Sequence, residues 1–374
     1  QDQKITYATM SADQMNDLHN GIDRAIERIT PKFGQTHPMY IDGQAIESAE
    51  QFDDVSPIDT RQVLARFQTG TADHVRDAVR AAKAAAKSWS AKPWEERVAV
   101  VRNISEGIRK NRWDLSAWMG YETGKNRLEC VGDIEESADF MAYYCSQMEA
   151  NAGFALKMDA LGPDEENTSV LRPYGVWGVI APFNFPMALA AGPIGAALVT
   201  GNTVVLKPAT DTPLLGIKLY EIATAAGLPP GVLNVVTGPG STVGQEISDN
   251  PGINGIVFTG SKEVGMLLAS ENGRRQTPRP VITEMGGKNP AIVMNSANLE
   301  KASEGVWRSA FGAQGQKCSA CSRVYVAADV KDRFVELLVE KTKQITVGDP
   351  MDRNKWLGPV INEQAIKTYE RAIE

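Results

Sequence analysis

The sequence predicts an α/β protein: two regions where short strands alternate with helices, a helical stretch before them, and a projecting hairpin. Three observations carry this. From residue 176 onward "VWGVI", "TVVLKP", "VLNVVTG" and "GIVFTG" are short, rich in β-branched residues and end in Gly or Pro, the pattern of strands bounded by turns. Helical stretches such as "TPLLGIKLYEIATAAG" and "STVGQEISDN" separate them, and this alternation predicts a parallel sheet covered by helices on both faces. A second such region begins near "AIVMN" (291–295) and runs through "SRVYVAA" (322–328).

The first half reads as mostly helical. In "TADHVRDAVRAAKAAAKSWSA" (71–91) the residues Val75, Ala78, Val79, Ala82, Ala86 and Trp89 share one helical stripe, with Thr71 or Asp73 as the cap. Helical periods follow at 94–110 and 133–149. Between 154 and 176, two short runs flank a Gly-Pro and acidic turn, which predicts a hairpin. The last residues, "INEQAIKTYERAIE", stop inside a helical pattern with no C-cap signal, as in a chain that lacks its C-terminal part.

At 374 residues there is room for two or three domains. The net charge is −7 with no strongly basic tract, which argues against nucleic acid as the main partner. No window approaches the eighteen apolar residues of a membrane span. The polar start "QDQKITYATMSADQMNDLHNG" lacks the layout of a signal peptide. Four cysteines at this length do not form a disulfide framework. A reducing, cytoplasmic location is expected (the mitochondrial matrix if the source is eukaryotic).

Ligands of a parallel sheet collect at the carboxyl ends of its strands. Two glycine-bearing junctions lie there, "VVTGPGSTVG" (235–244) and "VFTGSKEVG" (257–265). Neither is a GxGxxG, but together in one sheet they favour phosphate binding at helix N-termini. Lys207 ends the strand in "TVVLKPAT", where it could bond ribose or phosphate oxygens or simply surface. Asn184 sits between two prolines in "APFNFP". Such a rigid amide is a donor for charge developing on oxygen, or a loop residue bonding its own backbone. Glu284, in "TEMGGKNP", is either a half-buried carboxylate with a raised pKa, useful as a base, or an ordinary surface group.

Cys318 in "AQGQKCSACSR" is the candidate nucleophile, with Lys317 beside it. A zinc ribbon would need a second paired set, which Cys130 and Cys145 do not supply, so no metal is expected. A thioredoxin-like pair would sit elsewhere in the fold. His19, His37 and His74 all lie in the first fifth of the chain, so a histidine base is not favoured.

In their order, "APFNFP", "LKPAT", "VFTGSKEVG", "TEMGGKNP" and "GQKCSA" resemble the successive motifs of the aldehyde dehydrogenase superfamily, and the likeness runs from about residue 53 to "LGPVI" at 357–361. Within it, "GQKCSACSR" is most similar to Δ1-pyrroline-5-carboxylate dehydrogenases, which oxidise glutamate γ-semialdehyde to glutamate in proline degradation. The resemblance implies a Rossmann-like dinucleotide-binding domain (1–152 and 174–284), an oligomerisation hairpin (153–173) and an incomplete α/β catalytic domain (285–374). It implies an enzyme that forms a homodimer or larger homo-oligomer and acts on a small aldehyde.

It also implies roles. Cys318 attacks the aldehyde, Asn184 and the Cys318 N–H hold the oxyanion, and hydride passes to the nicotinamide. Glu284 then activates the water that hydrolyses the thioester. The cofactor crevice would be lined by Ile180, Ala181, Pro182 and Phe183; by Lys207, Ala209 and Thr210; and by Gly240 and Gly244. Phe258, Thr259, Gly260, Ser261, Val264, Met285 and Gly286 would complete it. Phe185 and Ser319 would face the substrate. Many NAD-preferring relatives carry glutamate where this chain has Thr210, so NAD is expected while NADP use stays open. Two other readings are a dehydrogenase of another semialdehyde, such as succinate semialdehyde, and a non-catalytic binding module of the same fold.

Overall fold

The computed structural model describes residues 11–374. Residues 1–10, part of the polar start and of the first expected domain segment, lie outside the described residues.

A seven-stranded sheet forms the centre, in the order Val281–Glu284, Gly255–Thr259, Val176–Ile180, Thr203–Lys207, Leu233–Val235, Met39–Ile41, Gln44–Ile46. The first five strands are parallel, as the alternation requires, and the last two add antiparallel at one edge. Strand Thr203–Lys207 is buried along its whole length. Its Val204 and Leu206 enter one core with Val179, Leu233 and the helices Trp94–Lys110, Arg127–Ala150, Ala188–Val199 and Leu214–Ala225. Val205 enters the other core, against Val75, Ala78, Val79 and Ala82. Successive strand residues face opposite ways, so both faces are covered, the condition under which parallel sheets are stable. Each fully buried Val or Leu contributes about 1.5–3 kcal/mol.

The helix expected at 71–91 is Ala72–Ala91, capped by Thr71, whose hydroxyl accepts from His74 N while its own N–H donates to His74 Nδ1. The stripe is buried except for Ala86, which is half-buried. The other helical periods are Trp94–Lys110 and Arg127–Ala150, with Arg112–Thr123 between them. The helix Arg127–Ala150 begins before the expected period does because its first turns bury Arg127, Glu129 and Asp133 beside Cys130 and Val131, which blurs the apolar stripe.

The first half departs from the helical reading between residues 35 and 68. Gln35–His37, Val63–Gln68 and Gln51–Val55 form a three-stranded sheet, and two further strands of this stretch join the main sheet's edge. Strands this short show no usable alternation. The stretch 240–249 is a π-turn, Gly240–Gly244, running into the short helix Gln245–Asp249.

Ala155–Met158 pairs antiparallel with Asn167–Val170 to make the hairpin, exposed throughout, with apolar Leu156, Met158 and Val170 among the exposed side chains. Asn289–Val293 and Cys321–Val326 pair in parallel. Helices Leu299–Phe311 and Lys331–Lys343 back them around a core of Val293, Val306 and Phe334. The terminal pattern is the helix Glu363–Ile373.

Candidate active site

Register across the sheet assembles one edge of the site. Lys207 pairs with Ile180, Ile180 with Phe258, and Thr259 with Glu284, so the carboxyl ends of four strands lie in line. Ile180 and Phe183 are half-buried where the chain leaves its strand, and Ala181 and Pro182 between them are buried. Ala209 and Thr210 follow Lys207, and the Thr210 hydroxyl donates to Gly238 O at 3.2 Å, tying this loop to the one that carries Gly240 and Gly244. Beyond Thr259 come Gly260 and Ser261, and beyond Glu284 come Met285 and Gly286. Val264 is exposed on helix Lys262–Gly273.

The Lys207 side chain is 4% exposed and its ammonium donates to Pro208 O at 3.0 Å. Burial pulls its pKa down to about 8, with Asp211 acting in the opposite sense. A buried cation at a strand's carboxyl end, held by a neighbouring carbonyl, suits a ribose or phosphate oxygen. Around it there is room: a Cβ on Gly240 would meet nothing described within 4 Å, and one on Gly244 would lie 3.7 Å from Lys207 Cδ. These features fit a dinucleotide.

Two expected side chains are placed differently. The Phe258 ring is buried in the core, beneath Gly260 and Gly265, so it shapes the crevice from below. The Ser261 hydroxyl accepts from Val264 N at 3.3 Å and caps its own helix, which takes up one N–H that an anion would otherwise meet. Glu284, for which the sequence left a half-buried and a surface position open, is exposed at the end of an edge strand, where only its backbone is tied, Gly260 N donating to Glu284 O at 3.0 Å.

The nucleophile loop forms the other side. After helix Leu299–Phe311, Ala313, Gln314 and Gly315 take φ values of 48°, 58° and 72°. Left-handed backbone costs a non-glycine residue about 1–2 kcal/mol, so Ala313 and Gln314 must be held there. Ala313 N donates to Glu129 Oε1 at 2.9 Å, and Gln314 Nε2 donates to Gly124 O at 3.0 Å. A turn then closes from Ala320 N to Lys317 O and presents Cys318 at the surface. Asn289 Nδ2 donates to Cys318 O at 2.7 Å, and Asn184 Nδ2 donates to Gln316 O at 2.8 Å. The loop after Glu284 also reaches the thiol's residue, since a Cβ on Gly287 would lie 3.1 Å from Cys318 O.

Cys318 is the exposed thiol. Cys130 and Cys145 are buried, and burial pushes both thiols up, Cys145 to about 11, which disfavours the nucleophilic thiolate. Cys321 is half-buried and bonds Arg323 O. Ser319 lines a cavity of about 300 Å³ with Asn289 and Cys321. Phe185 is not among that cavity's walls; its ring lies over the Lys125 ammonium, 3.9 Å from Nζ to centroid.

Sequence reasoning missed Lys125, Glu129, Asp133 and Asn289, which hold the two loops. The signal in the sequence is slight: charged residues recur every four positions at 125, 129 and 133, ahead of the helical period read at 133–149, and Lys125 itself precedes helix Arg127–Ala150. Among the described residues no helix is long and apolar enough to cross a membrane, and no cluster of His, Cys, Asp or Glu is placed to hold a metal ion.

The chain matches the aldehyde dehydrogenase family over residues 45–374. It is 37% identical over 355 residues to a 1-pyrroline-5-carboxylate dehydrogenase of Geobacillus thermodenitrificans (strain NG80-2), covering 94% of this chain and 68% of that protein. Among solved structures, 1-pyrroline-5-carboxylate dehydrogenase from Thermus with bound NAD superposes with a TM-score of 0.92 at 32% identity, covering 100% of this chain and 72% of that one. Proline utilization A from Bdellovibrio bacteriovorus superposes with a TM-score of 0.93 at 34% identity, covering 99% of this chain and 39% of that longer one. The chain thus spans about two thirds of the length of the curated relative it matches. By its motifs, its fold and these similarities, the chain belongs to the aldehyde dehydrogenase family.

Proposed function

We propose that this protein oxidises glutamate γ-semialdehyde, formed from Δ1-pyrroline-5-carboxylate, to glutamate, with NAD as the acceptor. The observation that carries the chemistry is the contact between Asn184 and the loop of the exposed Cys318. It ties an amide donor to the loop two residues before the thiol, which supports acyl chemistry through a thiohemiacetal. The names of the relatives support the substrate, and the NAD bound in the Thermus enzyme supports the acceptor.

In this reading Cys318 Sγ adds to the aldehyde carbon, and the oxygen that gains charge is held by the Asn184 amide and the Cys318 backbone N–H. NAD, when bound, accepts the hydride that leaves that carbon. Lys207, Thr210, Gly240 and the chain ends at Ile180–Phe183 hold the dinucleotide, and Met285 and Gly286 border it. The product of the oxidation is a thioester on Cys318. Glu284, exposed at the neighbouring strand end, takes a proton from the water that cleaves it and releases the acid. Phe185 and Ser319 border the aldehyde. Residues 1–152 and 174–284 serve as the dinucleotide-binding domain and 285–374 as the catalytic one. The hairpin 153–173, with Leu156, Met158 and Val170 exposed, joins copies into a homodimer or larger assembly in the cytoplasm. An open edge with apolar side chains needs such cover.

The test is reduction of NAD and NADP with glutamate γ-semialdehyde and a panel of other aldehydes, with Cys318→Ala as the blank. Turnover that prefers the semialdehyde and vanishes in the blank is expected. Preference for another aldehyde would discard the substrate and keep the chemistry; turnover that survives in the blank would discard the nucleophile.

A further inference from the structure

We propose that Lys125 is a positioning residue for this site, holding the Asn184 loop from beneath through the backbone oxygen of Asn184 and the ring of Phe185. The inference rests on the proposed chemistry at Cys318 and Asn184.

Lys125 is 2% exposed and pairs with Asp133, which is 1% exposed. A lysine ammonium has three N–H donors and no acceptor. Three groups surround this one: Asp133 Oδ2 at 2.9 Å, Asn184 O at 3.1 Å, and the face of Phe185 at 3.9 Å from its centroid. A buried ammonium needs partners beyond its carboxylate, so the choice of those partners is what distinguishes this site. Here two of the three partners are consecutive residues of the loop that carries the oxyanion donor.

Other bonds reach the loop, from the Thr212 hydroxyl to Phe183 O, from Leu189 N to Phe185 O and from the Asn184 amide to Gln316 O. Lys125 is the group that meets the Asn184 backbone oxygen. Pro182 and Pro186 bound the loop and contribute no N–H. Asp133 grips its far end, where Oδ1 accepts from Ala188 N at 2.9 Å, the first residue of helix Ala188–Val199. The same stretch of chain also holds the nucleophile loop, through Gly124 O to Gln314 and Glu129 Oε1 to Ala313. Residues 124–133 therefore form a frame that sets the separation of the Asn184 amide from Cys318. The frame touches neither thiol nor aldehyde, so its effect passes through Asn184. A donor displaced by about 1 Å can lose about two orders of magnitude in rate.

The experiment is a double-mutant cycle. Lys125→Met with Asp133→Asn removes both charges, so no unpaired buried ion is left. Relative to wild type, kcat is expected to fall about 10- to 100-fold, with KM and dinucleotide affinity within about twofold. In an Asn184→Ala background the same pair of substitutions is expected to cost less than about threefold, because the group it positions is gone. An equal fall in both backgrounds would overturn the inference. If the wild-type protein turns over no aldehyde, the proposed function falls and the positioning role is read from amide hydrogen exchange. The substitutions should then speed exchange at Phe183–Leu189 while strand Thr203–Lys207 keeps its protection; unchanged exchange in the loop would overturn the inference. Should the neutral pair not fold, Lys125→Arg keeps the charge but not the donor geometry, and the same cycle and exchange comparison apply to it.

Discussion

Asn184 donates its side-chain amide to the carbonyl oxygen of Gln316 at 2.8 Å, two residues before Cys318. A carboxamide nitrogen has two N–H groups. One is committed to the nucleophile loop and the other remains for an oxygen bound at Cys318. The contact thus sets donor and nucleophile relative to each other before substrate arrives. Asn184→Ala is expected to lower kcat about 10²- to 10³-fold, the usual cost of one oxyanion donor, while dinucleotide affinity stays unchanged. Steady-state kinetics with a separate binding titration check it, and a loss confined to KM would refute the assignment.

Glu284 stands exposed at the end of an edge strand, paired with Thr259. Acylation of Cys318 does not need it and hydrolysis does. Glu284→Gln should therefore give a burst of reduced dinucleotide close to one per active site, then turnover slowed about 10²-fold or more. Rapid-mixing absorbance measures both phases. A steady-state rate equal to wild type would remove Glu284 from the mechanism.

The parts of this site that were legible in the sequence are those fixed by local pattern. The strand ends carrying Lys207, Gly260 and Glu284 follow from alternation, because a parallel strand buried on both faces has a strong compositional signature. The loops at Asn184 and Cys318 follow from their Pro, Gly and Cys spacing. What holds those loops was not legible. Lys125, Glu129 and Asp133 look like a solvated helix face until the fold closes over them, and their partners lie far along the chain at Asn184, Ala313 and Ala188. The short strands between 35 and 68 escaped for another reason: their pairing is set by contacts with distant strands, and three to six residues leave too little period to read.

Burial of Lys207 predicts a pH dependence. Its pKa falls from 10.5 unfolded to about 8 folded, so the unfolded chain binds more protons between those values. Stability from this group is full above the unfolded pKa and is lost as pH falls through about 8, a swing on the order of 3 kcal/mol. Denaturant unfolding of the free protein should show stability of this sign between pH 8 and 10.5, absent in Lys207→Met. An oxygen acceptor of a bound dinucleotide favours the protonated lysine, so affinity should weaken above about pH 8 in wild type and not in the variant. Parallel profiles would show that Lys207 does not meet the cofactor.

Thr210 is exposed and its hydroxyl donates to Gly238 O at 3.2 Å. A neutral side chain here does not repel a 2′-phosphate, and a carboxylate would. Thr210→Glu is expected to weaken NADP binding about tenfold or more and to leave NAD binding within about twofold. Fluorescence titration with both dinucleotides decides it. Equal losses for both would mean that the side chain acts on the loop and not on the phosphate.

Asp54 and Glu122 form a buried acid pair, 3% and 0% exposed. Glu122 Oε1 accepts from Leu214 N at 2.7 Å, at the start of the helix that follows the Lys207 loop, while Glu122 Oε2 and Asp54 Oδ2 are buried without a donor from any other group. Burial is the main cause that raises both groups above the usual carboxylate range; Asp54 adds to it at Glu122, whereas at Asp54 the Glu122 carboxyl works against it and Asp211 adds to it. Two adjacent carboxylates cannot both ionise cheaply in such a place, so the pair keeps a proton that the unfolded chain releases. The stability it contributes is full below the ordinary carboxylate pKa and is lost as pH rises toward the raised values. Glu122→Gln keeps an oxygen for Leu214 N and offers an amide to Asp54, so one titration disappears while the cap stays. The variant should match wild type near pH 5 and unfold at a higher temperature near pH 8, with a flatter profile between. Because the helix so capped begins beside Thr210 and Lys207, dinucleotide affinity near pH 8 should hold or improve. Thermal unfolding across that range would exclude a shared proton if the variant kept the wild-type slope.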